Sequence, residues 1–290
     1  MRPSAIRRVT TYTAAILLVV WTVVPLYWLA NMALMYHEEL LSVPAHLIPQ
    51  QPTLGNFIRL FGLEAYGPTG EVLVAIGQAF LVRRGWINSL IVSAVVTVLT
   101  MGIALPVAYA LGRLVFKGRN GLLFTLVSTR AYPPIAVLIP FAYIFQVAGL
   151  QGTLGGLIII YLTVTLPLIA WIMSGFFASL PRNMERAARV DGLTRWQTFW
   201  RVMLPMAAPG VASCAVIAFL VCWNEFTFSL ILNAGSPAQT FPPALSSMFF
   251  QVSNANEMAA AAFLGIIPPA ILALIFQSRI KRLNIADPLS

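Results

Sequence analysis

Charged residues and cysteines are scarce in this sequence. Only 9% of its 290 residues are charged, so a soluble domain of this length would have too little polar surface to cover itself. The two cysteines, Cys214 and Cys222, lie within one apolar run, and we interpret them as small buried hydrophobic residues. The composition therefore excludes an ordinary soluble domain.

Common catalytic and nucleotide-binding motifs are also missing. The sequence has no HExxH, GxSxG or CxxC pattern and no GxxxxGK[ST] phosphate loop, and His37 and His46 stand alone in a loop. We therefore expect no catalytic residues, no metal site and no cofactor in this chain. If the protein moves a solute against a gradient, another component must supply the energy.

Long apolar runs dominate what is present, with 59% hydrophobic residues and a mean hydropathy of +0.83. A bilayer core of about 30 Å requires about 20 apolar residues in a helix, so runs of that length predict membrane spans. Six are found, at residues 12–35, 87–111, 121–147, 153–177, 208–232 and 258–277. They predict an all-α polytopic membrane protein, with residues 1–290 forming a single transmembrane domain.

The distribution of basic residues predicts the orientation of these spans. The net charge of +9 does not indicate nucleic-acid binding, because the basic residues fall between apolar runs and form no stripe on a polar domain. Instead, basic groups at residues 2–8, 113–119, 182–201 and 279–282 would all lie on one side, which the positive-inside rule makes cytoplasmic. Both termini are then cytoplasmic, and the first run is a retained span, since it is too long for a signal peptide and lacks a cleavage pattern.

Two longer segments, 36–86 and 233–257, are predicted to be outer loops. Within the first, the apolar stretch 72–82 is about half the spanning length, so we expect an interfacial or packed helix there. Glu257 and most of the other acidic residues outside the cytoplasmic segment fall in these loops. Arg59, Arg83 and Arg84 are exceptions to the charge rule.

A few polar residues fall inside the predicted spans. Arg130 lies in the third run and Glu225, next to Asn224, in the fifth. Burying a charge at the bilayer centre is costly, so each should either pair with a buried partner or line a solute pathway, and the sequence leaves both alternatives open. Pro133 and Pro134 should break the third helix beside Arg130 and leave backbone groups facing a cavity. The aromatic residues that follow Arg130, beginning with Tyr132, would suit sugar faces or ordinary packing.

The segment 178–207 is unusually rich in arginine and predicts two short helices. Ser179 is a candidate N-cap for the first, in which Met184, Ala187 and Ala188 share one face, and Asp191–Gly192 provides a turn. The second would begin at Thr194 and run toward Pro205, with an apolar stripe of four residues. Those residues are Trp196, Phe199, Trp200 and Met203.

Three interpretations of this segment are open from physical chemistry alone. It could be a docking element for a cytoplasmic partner, a helix lying on anionic lipid headgroups, or an ordinary basic loop. Only docking accounts for the arginines, the small-residue face and the amphipathic stripe together.

The sequence resembles the inner-membrane permease subunits of binding-protein-dependent ABC importers, especially the carbohydrate group that includes the maltose permease. Five stretches between about residues 86 and 277 carry the resemblance. They are NSL (88–90), AYALGRLVFKGR (108–119), STRAYPPIAVLIPF (128–141), LPRNMERAARVDG (180–192) with MLP at 203–205, and WNEF (223–226). The fourth is similar to the family's EAA loop, in which Glu-Ala-Ala is followed after three residues by glycine and later by Leu-Pro.

This resemblance implies a six-span permease of the type I ABC importer fold with a cytoplasmic coupling helix. It also implies several partners: a homologous second permease, a dimer of ATPase subunits that bind ATP and Mg²⁺, an extracytoplasmic solute-binding protein, surrounding lipid and a carbohydrate solute. The coupling residues carried over from the EAA loop are Glu185, Arg186, Ala187, Ala188, Asp191 and Gly192. The outer loop 233–257 resembles the part that contacts the binding protein.

The sequence departs from the family pattern at two places. Arg186 stands directly before the alanine pair, where the family has glutamate, and Glu185 lies one position earlier. The C-terminal residues RLNIADPLS replace the usual ending. We predict a permease half of an ATP-driven carbohydrate importer, coupled through residues 179–205. The alternatives are a secondary transporter driven by an ion gradient, which would need intramembrane carboxylates, and a membrane scaffold that transports nothing.

Overall fold

The computed structural model describes residues 5–75, 77–251 and 255–280, and helices account for nearly all of its regular structure. The helices are α1 (Ala5–Leu34), α2 (His37–Leu40), α3 (Gly55–Leu60), α4 (Ala79–Arg113), α5 (Arg119–Ser128), α6 (Pro134–Val147), α7 (Leu154–Ser179), α8 (Arg182–Val190), α9 (Arg195–Thr198), a π-helix (Phe199–Met203), α10 (Leu204–Met206), α11 (Ala208–Trp223), α12 (Thr227–Leu232), α13 (Phe241–Gln251) and α14 (Ala255–Ile280). The strands β1 (Ala65–Tyr66) and β2 (Val72–Leu73) form a small antiparallel hairpin, with Ala65 opposite Leu73. The predicted all-α class is confirmed.

Five helices in the described part of the chain are long and apolar enough to cross a membrane. They cover Val9–Leu34, Ala79–Arg113, Leu154–Ser179, Ala208–Leu232 and Ala255–Gln277, and a shorter apolar helix covers Ile135–Val147. The shorter helix lies in the third predicted run, which the structure interrupts at residues 129–133, between α5 and α6. Because proline disfavours helical geometry in the residue before it, the predicted break at Pro133 and Pro134 follows directly and is confirmed.

The predicted outer loops contain more regular structure than the sequence indicates. The stretch 72–82 is not a separate helix: β2 occupies its start, and residues 79–82 already belong to α4. Residues 233–257 likewise include α13 and the start of α14, so Glu257 lies in the first turn of a spanning helix. The basic group at 279–282 and the atypical C-terminal ending fall largely outside the residues whose side chains are described.

The chain divides into two compact units, and each is described by itself. The first comprises residues up to 83 together with 244–267. Here the carbonyl groups that end α1 are capped by buried amides: Asn56 Nδ2 donates to the carbonyls of Ala33 (3.0 Å) and Met35 (2.9 Å), and Asn256 Nδ2 donates to Met35 (3.0 Å). Arg59 pairs with Glu257 at 2.5 Å. The three asparagine bonds satisfy carbonyl groups at the end of α1 that would otherwise be buried without partners.

The second unit, residues 84–243 and those from 268 onward, contains the larger core. Helices α4, α7 and α11 and the π-helix supply its buried side chains, among them Tyr109, Phe177, Phe199 and Met203. Helices α4 and α7 approach closely at Gly112, where a Cβ atom would lie 2.6 Å from the Ser174 carbonyl oxygen. Small residues permit this kind of contact between membrane helices.

Candidate functional site

The first helix of the arginine-rich segment is present, with a different start from the one predicted. Helix α8 begins at Arg182 with Pro181 as its N-cap. Ser179 instead ends α7, and its hydroxyl donates to the Phe176 carbonyl (2.8 Å), so it cannot cap α8. At the other end, the Gly192 N–H donates to the Arg189 carbonyl (3.2 Å) with φ of +85°, a conformation that favours glycine. The predicted turn is confirmed.

The second helix begins where the sequence predicts, and a reciprocal cap fixes its start. The Gln197 N–H donates to the Thr194 hydroxyl oxygen (3.3 Å), and the Thr194 N–H donates to Gln197 Oε1 (2.9 Å). This capping box satisfies two N–H groups that the first helical turn leaves open. Helix α9 then leads into the π-helix, where the Leu204 N–H bonds to the Phe199 carbonyl five residues earlier.

The apolar stripe of the second helix is divided between the protein core and the exposed surface. Phe199 and Met203 are buried in the core, and the Phe199 ring lies 5.2 Å from the Tyr109 ring between centroids. Trp196 and Trp200, in contrast, are 59% and 49% exposed. The inner half therefore anchors the segment, and the outer half leaves two tryptophans available for contact.

A buried ion pair ties α8 to the end of α4. Glu185 Oε1 accepts from the Tyr109 hydroxyl (2.9 Å), and Oε2 accepts from Arg113 Nε (3.0 Å). The two remaining Arg113 nitrogens donate to the carbonyls of Leu180 (2.9 Å) and Pro181 (3.1 Å) at the corner between α7 and α8. All three guanidinium nitrogens of Arg113 thus donate to groups of the same chain, and the Arg113 side chain is only 2% exposed.

The six predicted coupling residues do not share one surface. Ala188 is buried and Glu185 half-buried, whereas Arg186, Ala187, Asp191 and Gly192 are exposed. Beside them, a hollow of about 230 Å³ is lined by Arg113, Val115, Arg182, Glu185, Arg186 and Arg189. Sequence reasoning missed Tyr109 and Arg113, although both lie within the AYALGR stretch that carried the resemblance.

A second polar feature lies at the break between α5 and α6. Arg130 is exposed there, and its Nη1 donates to the Val164 carbonyl (3.3 Å). It lines a hollow of about 410 Å³ whose other lining residues are Thr129, Tyr132, Val137, Phe141, Thr163, Val164 and Phe228. The hollow therefore combines one cationic group, hydroxyl groups and aromatic rings.

Glu225 lies three residues before Phe228, which lines this hollow, but its carboxylate has a separate set of hydrogen-bond partners. Its carboxylate accepts from the Tyr161 hydroxyl (2.8 Å) and from the N–H groups of Phe228 (2.9 Å) and Ser229 (3.3 Å), in the first turn of α12. A carboxylate at this position stabilises a helix N-terminus. Asn224 donates to the Leu220 carbonyl (3.0 Å) of its own helix. For Glu225 the geometry favours the interpretation as a residue with a buried partner. For Arg130 it favours the other interpretation, a residue that lines a pathway, because Arg130 is exposed in the hollow.

The segment 233–240 is held by a separate set of buried polar side chains. Asn88 Nδ2 donates to the carbonyls of Pro237 (2.9 Å) and Gln239 (2.8 Å), and the Ser89 hydroxyl accepts from the Phe241 N–H (2.9 Å). Asn88 and Ser89 belong to the NSL stretch near the start of α4. Among the described residues, no group of three His, Cys, Asp or Glu side chains could hold a metal ion.

Helices of membrane-spanning length, the polar break between α5 and α6 and the buried tie to α8 together indicate a polytopic membrane protein. Residues 102–284 match the family described as the binding-protein-dependent transport system inner membrane component. The sulfoquinovosyl glycerol transport system permease protein SmoH of Agrobacterium fabrum is 31% identical over 272 residues, which cover 93% of this chain and 89% of that protein. The trehalose transport system permease protein SugB of Mycobacterium tuberculosis is also 31% identical, over 94% of this chain and 95% of that protein.

A solved structure is similar over nearly the whole chain. It is the crystal structure of a bacterial ABC transporter involved in the import of the acidic polysaccharide alginate, with a TM-score of 0.74 and 19% identity, covering 96% of this chain and 99% of that one. The chain belongs to the family of binding-protein-dependent transport system inner membrane components. It is an integral inner-membrane permease subunit of an ABC importer, as the sequence resemblance indicated.

Proposed function

We propose that this permease forms one half of the translocation pathway for a carbohydrate solute. Relatives named for sulfoquinovosyl glycerol and trehalose transport support the solute class. The hollow at Arg130 supports it further, because Tyr132 and Phe141 offer ring faces and Thr129 and Thr163 offer hydroxyl groups for a polyhydroxylated ligand. Screening the cognate solute-binding protein against oligosaccharides by thermal shift tests this class, and a preference for a non-carbohydrate solute would contradict it.

The remaining components of the importer follow from the family. We propose a homologous second permease, a dimer of cytoplasmic ATPase subunits that hold ATP and Mg²⁺, and an extracytoplasmic solute-binding protein. In this arrangement both termini of the permease are cytoplasmic, and residues 1–290 act as one transmembrane domain. ATP hydrolysis takes place on the partner chains.

The ATPase contact is assigned to α8 and the turn that follows it, with Glu185, Arg186, Ala187, Ala188, Asp191 and Gly192 as the coupling residues. The observation that carries this assignment is the tie from Arg113 to Glu185, Leu180 and Pro181. A segment that transmits force needs a rigid attachment to a spanning helix. This tie joins α8 to α4 by one ion pair, and two hydrogen bonds to backbone carbonyls hold the corner just before α8. Glu185 acts here by positioning α8.

Replacing Gly192 with proline tests the contact. Proline fixes φ near −65°, whereas Gly192 has φ of +85°, and the substitution also removes the N–H that bonds to the Arg189 carbonyl. We expect Gly192→Pro to abolish stimulation of ATP hydrolysis in the purified importer and to reduce the amount of ATPase that copurifies with the permease. Normal coupling in this variant would contradict the assignment.

Gly62→Pro provides a matched control. Gly62 has φ of +81°, and its N–H donates to the Arg59 carbonyl (3.0 Å), so the local backbone change is the same in a segment remote in sequence from α8. We expect this variant to retain the ATPase as the wild type does. Thermal unfolding of both variants in detergent separates a coupling defect from a folding defect.

A further inference from the structure

Three arginines of α8 have no carboxylate partner in the described part of the chain. Arg182, Arg186 and Arg189 follow one another at spacings of four and three residues, so they lie on neighbouring turns of one helical face. All three are exposed, and all three line the 230 Å³ hollow. The face therefore carries three positive charges.

The carboxylate that lines this hollow cannot neutralise them. Glu185 is already bonded through both oxygens to Tyr109 and Arg113, and it is the one carboxylate among four arginines in the lining of the hollow. Arg182 also lies at the first position of α8, where the helix dipole adds partial positive charge. Like charges at this spacing destabilise an isolated helix, so an anionic neighbour would relieve an existing repulsion.

The shape and surroundings of the hollow favour a protein neighbour over a lipid surface. The hollow is concave, and the adjoining exposed residues of α8 include Met184, at 46% exposure, and Ala187, which offer apolar contact beside the charges. Protein interfaces combine a small apolar centre with complementary charges at the rim. Basic pockets can also bind anionic lipid headgroups, so the test below includes vesicles of anionic lipid.

We infer that the surface of the cognate ATPase that receives α8 is acidic and places a carboxylate against Arg186. This inference rests on the proposed ATPase contact and adds the charge of the partner to it. It means that Arg186 meets a carboxylate of the partner, and that an ATPase with a basic groove would fit poorly.

Charge variants of the whole importer test the inference. The permease is copurified with its second permease and ATPase in detergent, and the dissociation constant of the ATPase is measured for wild type, Arg186→Gln and Arg186→Glu. We expect Arg186→Glu to weaken binding by about tenfold or more, Arg186→Gln to fall between, and wild-type binding to weaken as salt is raised. Lys117→Glu, an equal charge change at an exposed residue outside the hollow, should leave binding unchanged.

Other outcomes would overturn the inference. Binding by Arg186→Glu that equals or exceeds wild type would show that the groove is not acidic. A defect that appears only in vesicles containing anionic lipid, and is lost in phosphatidylcholine vesicles and detergent, would assign the arginines to the membrane surface. If the wild-type permease itself fails to retain the ATPase, the proposed function fails first and the inference falls with it.

Discussion

Two adjacent residues, Glu185 and Arg186, have different environments. Successive residues of an α-helix point about 100° apart, so Glu185 reaches Tyr109 and Arg113 while Arg186 is exposed in the hollow. The sequence alone identified this pair as the point of departure from the family pattern. It could not assign Glu185 to the chain's own core, because Arg113 is 72 positions away and only the fold brings the two together.

Replacing Glu185 with glutamine should destabilise the permease. The amide keeps the shape but removes the charge that balances Arg113, whose side chain is almost fully buried. We expect a loss of about 2 kcal/mol in the free energy of unfolding, measured by thermal unfolding in detergent. Arg182→Gln, which removes a charge without breaking an ion pair, should change stability by less than about 0.5 kcal/mol. Equal effects of the two substitutions would mean that the ion pair contributes nothing.

At the scale of helices, apolar runs and prolines predicted most of the long elements. The break between α5 and α6 follows from Pro133 and Pro134, and the long helices follow from the runs themselves. The early start of α4 could not be predicted from hydropathy, because Arg83 and Arg84 interrupt the apolar pattern in its first turns. The sequence did not predict α13, because two consecutive prolines, Pro242 and Pro243, are typical of a loop. Proline is nevertheless accepted in the first turn of a helix.

The close crossing of α4 and α7 provides a second prediction. Gly112→Ala would place a Cβ atom 2.6 Å from the Ser174 carbonyl oxygen, so the two helices must move apart. We expect a loss of about 1–3 kcal/mol in stability, measured by thermal unfolding in detergent.

Gly102→Ala is the matched change in the same helix. A Cβ atom at residue 102 meets nothing within 4 Å, so the substitution should be neutral or stabilising by up to about 1 kcal/mol through helix propensity. A loss at residue 102 as large as that at residue 112 would contradict the packing explanation.

At the scale of the whole molecule, the sequence predicted the fold class and the two short helices of the segment 178–207, and it predicted less of the polar contacts around them. Arg130 and Glu225 looked equivalent as charged residues within apolar runs. The structure separates them, since Glu225 accepts three hydrogen bonds at the start of α12, whereas Arg130 lines an open hollow. Spacing along a sequence does not reveal which backbone N–H groups a helix break will leave near a carboxylate.

The hydrogen bonds to Glu225 also bear on the alternative function, a secondary transporter driven by an ion gradient. Of the carboxylates within the candidate spans that the structure describes, Glu225 accepts three hydrogen bonds and Glu257 is paired with Arg59, so neither is placed to exchange an ion freely. We expect the permease alone, in proteoliposomes with a proton or sodium gradient and no ATP, to accumulate no carbohydrate. Uptake under those conditions would contradict the proposed function, and restored uptake with the complete importer and ATP serves as the positive control.

Helix α4 holds both of the polar ties described in the second unit. Asn88 bonds the segment 233–240 near one end, and Arg113 bonds α8 at the other. The 25 residues between them span about 38 Å at 1.5 Å per residue, which exceeds the hydrocarbon thickness of a bilayer. One helix, with Pro106 between the two ties, therefore links the segment 233–240 to α8, and we expect a tilt of its Arg113 end to displace the segment attached at Asn88.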